Sequence, residues 1–165
     1  MTSTTDPRSS QTESLILAQT RVLQIVVGAL VIGVSIFAGY VILSGTLQKP
    51  PQGAMLSTVA VGFGALMVVM HFVVPGVIER AALANQAIGA DRESLVRVYF
   101  TRTIIAAALL EGAAFMSLVA VMNEHQPWVL GVTAVILVFM LMQIPSRTRI
   151  EHWLESKMME REQGT

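Results

Sequence analysis

Long apolar runs separated by short polar connections dominate the chain, and four of them approach the length of a membrane-crossing helix: residues 22–43, 55–78, 103–122 and 128–144. A hydrocarbon core about 30 Å thick takes roughly 20 residues of α-helix. Helix is the expected form, because lipid offers no water to open backbone groups and a barrel shows short alternating segments instead. The fourth run is the shortest and stops at Pro145. The first follows a polar lead and has no charged residue over 22–43. It is longer than the roughly 7–15 apolar residues of a cleavable signal.

The polar segments predict further elements. Residues 1–13 are expected to be a disordered tail, with a helix from Ser14 running into the first span and residues 14–145 forming the transmembrane domain. Gly45, Pro50, Pro51 and Gly53 make residues 44–53 a compact turn. In the middle connection, residues 79–88 are compatible with a continuing helix, Gly89 with its stop and Asp91 with the N-cap of the next. This predicts a helical hairpin projecting about 15 Å beyond the second and third spans. In the tail, 146–165, Ser146 is an N-cap and Ile150, Trp153, Leu154 and Met158 recur at helical spacing, so a short amphipathic helix is expected. Docking onto a membrane surface or partner, and packing on the chain's own hairpin, both remain open for it. The fold class is therefore all-α: a polytopic membrane protein with four transmembrane helices in two hairpins.

Composition agrees. Hydrophobic residues make up 53% of the 165 and charged residues 13%, against about 25% charged in soluble domains. Net charge is zero, and the lack of a basic patch argues against nucleic acid. The chain has no cysteine, which removes disulfides, thiolate metal sites and cysteine nucleophiles. The basic residues are strongly segregated. Arg8 and Arg21, then Arg80, Arg92, Arg97 and Arg102, then Arg147, Arg149, Lys157 and Arg161 lie on one side, and only Lys49 on the other. By the positive-inside rule both termini and the middle connection are cytoplasmic, in a multi-pass protein of the cell (inner) membrane. Tyr40 and Trp128 fall near the outer interface, where such aromatics are enriched.

One charge breaks the apolar pattern. Glu111 is the single carboxylate in run 103–122, and a charged group there costs about 2.5–3.5 kcal/mol on the insertion scale. His71, in the second span, falls at a similar depth, so acid and imidazole are expected to meet as neighbours across a helix pair. Pro75 cannot donate to the His71 carbonyl, which leaves an acceptor free at that place. Ala60, Gly64 and His71 share one stripe of the second span; Ala107, Ala108, Glu111 and Ala114 lie together on the third. Small residues of this kind let membrane helices approach closely. Two readings stand side by side: Glu111 and His71 as a buried polar core, or Glu111 as a titrating proton or cation site. His71, His125 and His152 are in different compartments and have no metal-ligand spacing. Gly62 and Gly64 sit inside a span rather than after a strand, and Ser35, Ser57 and Ser117 have no evident base. No metal, cofactor or enzymatic activity is expected; the partners expected are the lipid bilayer and either a second copy of the chain or another membrane protein.

Residues 107–115, AALLEGAAF, resemble the carboxylate-bearing helix of the proteolipid (c) subunit of rotary ATP synthases, a resemblance that implies ion binding at Glu111. The whole layout is similar to a family of small bacterial four-helix membrane proteins of unknown function. Leu110–Glu111–Gly112 in the third span and Pro145–Ser146–Arg147 after the fourth carry that likeness, which implies the fold and no activity.

Overall fold

The computed structural model describes the backbone of residues 7–84 and 92–144, and isolated positions between Ser146 and Met159. The described elements are helical: α1 (Pro7–Leu43), a 3-10 turn (Thr46–Gln48), α2 (Met55–Ala84), α3 (Arg92–Glu124) and α4 (Val129–Met142). α1 begins at Pro7, ahead of the Ser14 start expected from the polar lead. Proline suits a first helical position, where its missing N–H has no partner to lose. α2 runs six residues past the apolar run that ends at residue 78, and α3 begins eleven residues before the run that starts at 103. The proposed stop at Gly89 and cap at Asp91 lie outside the described residues, as do Leu154 and Met158 of the tail.

Three helices are long and apolar enough to cross a membrane, over Leu17–Leu43, Met55–Ala82 and Ser94–Glu124. The fourth span, expected at 128–144, is shorter than its apolar run. α4 has 14 residues, about 21 Å at helical rise, which is less than a hydrocarbon core. Its end is set by chemistry that hydrophobicity does not show. Gln143 N–H turns back to the Met140 carbonyl and Ile144 N–H to the Leu141 carbonyl, a tightening that precedes a proline, whose ring disfavours helix in the residue before it.

α3 is the central strut. It packs against α1, α2 and α4, whereas α1 and α2 share no extensive interface among the described residues. The expected first hairpin is therefore a chain connection without a packed seam. Of the stripe read from sequence, Ala60 and Gly64 are buried and His71 is half-buried; His71 meets α3 at Ala106, whereas a Cβ added to Gly64 meets Ile136 of α4 at 3.8 Å. On α3, Ala106 is buried beside His71, Ala107, Ala113 and Ala114 are buried in the clusters shared with α1 and α4, and Ala108 is exposed. Two clusters fill the interior. One joins Val34, Val41, Leu110, Leu118, Ile136 and Met140 across α1, α3 and α4. The other joins Leu23, Val27, Leu95 and Tyr99 to Ile150 of the tail, with the Trp153 ring 5.3 Å from that of Tyr99. Ile150 and Trp153 thus lie beside Leu95 and Tyr99 in the first turns of α3.

Elsewhere the surface is apolar. Ile25, Ile36, Phe72 and Met142 are each more than half exposed, and only 11% of the most apolar stretch of α2 is buried. Soluble monomers do not carry contiguous apolar faces of this extent; in lipid such faces cost nothing.

Candidate functional site: interhelical polar layers and a cleft at one end

α2 and α3 run antiparallel, tied at both ends. At one end Glu124 accepts hydrogen bonds from the backbone N–H groups of Leu56 (2.6 Å) and Ser57 (2.7 Å). These belong to the second and third residues of α2, the donors that an N-cap side chain ordinarily satisfies. Ala54, at the cap position, has no side-chain oxygen, so the carboxylate at the end of α3 serves instead and also faces the positive end of the α2 dipole. The adjoining loops are joined as well, through Gln52 N–H to the Glu124 carbonyl (2.8 Å) and the Gln126 amide to the Gly53 carbonyl (2.6 Å). Gly53 has φ +69°, a left-handed geometry glycine adopts freely. Replacing Glu124 by alanine is expected to lower the thermal midpoint of the purified protein. Adding Ala54→Asp to that variant, which supplies a local cap, should recover about 1 kcal/mol. Equal midpoints for the single and double variants would show that the clasp does not support α2.

At the opposite end Arg102 donates to Glu79 across the same helix pair (2.5 Å). Ser57 to Glu79 on α2 and Arg102 to Glu124 on α3 span the same number of residues, about 33 Å at helical rise. The two ties are therefore one hydrocarbon thickness apart.

Between them lies His71, about 12 Å along α2 from Glu79. Its Nδ1 is 3.1 Å from the Ala106 carbonyl. A carbonyl only accepts, so Nδ1 carries the hydrogen, and Nε2 is left to accept from the Gln143 amide at 3.1 Å. One imidazole thus connects α2, α3 and the end of α4. His71 and the Glu79–Arg102 pair border a cleft of about 320 Å³, walled by Phe72, Gly76, Thr103 and Gln143.

Glu111 is elsewhere. Ala106 and Glu111 are five residues apart, which turns them about 140° from each other around α3. Phe115, one turn beyond Glu111, packs its ring 5.5 Å from Phe37 of α1, so Glu111 is on the flank that faces α1 and the exposed Ala108 and Gly112. The polar contacts of His71 run to Ala106 and Gln143, and the expected meeting with Glu111 is not made. The Glu111 side chain is half-buried and has no hydrogen bond or ion pair among the described residues. His125 closes α3 with φ +55°, its N–H on the Val121 carbonyl and its buried Nδ1 without a partner among the described residues. His152 is exposed in the tail, 4.0 Å from Glu155. Among the described residues no three His, Asp or Glu side chains gather as a metal site.

Gln143, Glu124 and the Glu79–Arg102 pair were not singled out by the sequence pattern. For Glu124 a signal existed: α2 starts at Met55 with no capping side chain before it, so its N–H groups need an acceptor from elsewhere. Comparison of the chain with protein-family models, with curated proteins and with solved structures finds no match.

Proposed function

We propose that this chain is a non-enzymatic integral membrane protein that acts through association, with both termini and the α2–α3 connection in the cytoplasm and a second copy of itself as the first partner. Glu111 is the observation that carries the reading. The other polar groups that meet along α3 serve as helix-to-helix ties: His71 with Ala106 and Gln143, Arg102 with Glu79, and Glu124 with the start of α2. They form no nucleophile–base set. Glu111 alone of these is without a partner among the described residues. Beside it α3 exposes Ala108 and Gly112 at small-xxx-small spacing, and a Cβ added to Gly112 meets nothing within 4 Å. A second α3 brought against this face shields the carboxyl from lipid and supplies it with a hydrogen-bonding partner. The polar core expected of Glu111 and His71 together becomes, in this reading, two features: an internal layer at His71 and an external contact at Glu111. Kinship with the small four-helix membrane proteins that share the Leu-Glu-Gly segment is part of the same proposal.

The same isolation of Glu111 favours a second reading, a proton or cation site in which it titrates. Subunit counting by single-molecule photobleaching in vesicles, across protein-to-lipid ratios, tests the first. Association that strengthens with protein density supports it; single-step bleaching at every density removes it. Carbodiimide labelling of Glu111 that sodium suppresses would then support the ion-handling reading.

A further inference from the structure

We propose that the cleft bordered by His71 and Arg102 holds the headgroup of a monoanionic phospholipid. The inference rests on the membrane placement proposed above and on a region of the fold that the Glu111 contact does not use. The cleft has a volume of about 320 Å³, within the range of small-ligand sites. It adjoins the apolar surface of α2: Phe72, one of its walls, is 66% exposed there. An acyl chain can therefore lie along α2 while its headgroup enters between α2 and α3.

The level is right for a phosphate. Arg102 and Glu79 lie about 33 Å from the opposite tie at Glu124, at the boundary of the hydrocarbon core. Arg102 uses Nη1 on Glu79, and a guanidinium carries five N–H donors in a planar fork suited to phosphate oxygens. Its side chain is 35% exposed and borders the cleft. Arg80 and Arg97 are exposed at the same end and add to the attraction for an anionic leaflet. Gln143 lines the same cleft. Glu79 sets the limit on charge: a carboxylate at the mouth disfavours a headgroup with more than one net negative charge.

Native mass spectrometry of the full chain in mild detergent, titrated with phosphatidylglycerol or phosphatidylcholine, tests this. The wild type is expected to hold one phosphatidylglycerol per chain at about tenfold lower lipid concentration than phosphatidylcholine, a factor equal to about 1.4 kcal/mol. Gly76→Phe should erase the preference, because a Cβ at Gly76 meets nothing within 4 Å and the ring fills the cleft without displacing the helices. The double variant Glu79→Gln with Arg102→Gln, which keeps the pair neutral, should erase it too. Loosely bound phosphatidylcholine should be retained equally by all three proteins, which separates loss of this site from loss of the membrane-embedded fold. Equal retention of the two lipids by the wild type, a preference that survives Gly76→Phe, or displacement of phosphatidylglycerol by equimolar inorganic phosphate would each overturn the proposal.

Discussion

Glu111→Leu is expected to weaken self-association in bilayers by roughly thirtyfold, while leaving the helical content of the single chain unchanged. The figure follows from about 2 kcal/mol, the upper part of the range for polar contacts between membrane helices. The sign has a simple origin. In a lone chain the half-buried carboxyl has no partner among the described residues, so leucine costs less there than glutamate. In a pair of chains the carboxyl has a partner, and leucine removes it. Glu111→Gln keeps one donor and one acceptor and should associate nearly as well as the wild type. A titrating site gives the opposite pattern, with glutamine as damaging as leucine to any ion-dependent behaviour. Measuring dimer fractions for the three proteins over a lipid dilution series separates the two.

Breaking the Glu79–Arg102 tie from one side is expected to cost about 1–3 kcal/mol, and breaking it from both sides less than the sum. The two partners differ in burial, with side-chain exposures of 12% for Glu79 and 35% for Arg102. Arg102→Met removes the neutralising guanidinium from the more buried carboxylate. Glu79→Gln leaves a long cation near the boundary of the apolar region, able to extend to water. Arg102→Met should therefore be the more destabilising, and the double variant should recover part of its loss, with a coupling of about 0.5–3 kcal/mol in a double-mutant cycle. Unfolding in detergent followed by circular dichroism reads all four proteins. Strict additivity would show that the pair contributes nothing beyond its separate residues.

The helices of this fold were legible because long apolar runs with few charges record them, three being long and apolar enough to cross a membrane. The stripe Ala60–Gly64–His71 was legible as a close-approach face because small residues stand at helical spacing, but not what approaches it: α3 at His71 and Ile136 of α4 at Gly64. The partner of His71 was not. Depth along two helices can be counted from sequence, but rotation about α3 separates Ala106 from Glu111 by about 140°, and only packing fixes which of them faces α2. Gln143 reads as the frayed end of an apolar run, and nothing local announces that the end of α4 reaches His71. Glu124 reads as a loop carboxylate because its partners are backbone groups of residues 67 and 68 positions away. The length of α4 was overread because hydropathy continues to Ile144, whereas helical hydrogen bonding stops at Met142.

The absence of native cysteine makes the most direct test of the proposed association clean. A single cysteine at Gly112, where a Cβ meets nothing within 4 Å, should form an intermolecular disulfide on oxidation in bilayers, since such a bond needs Cα atoms about 4.4–6.8 Å apart. A single cysteine at Val135, exposed on α4, is the control for random collision. Rapid crosslinking at Gly112→Cys that exceeds Val135→Cys and is lost on adding Glu111→Leu is the predicted result. Equal, slow crosslinking at both positions would contradict the account.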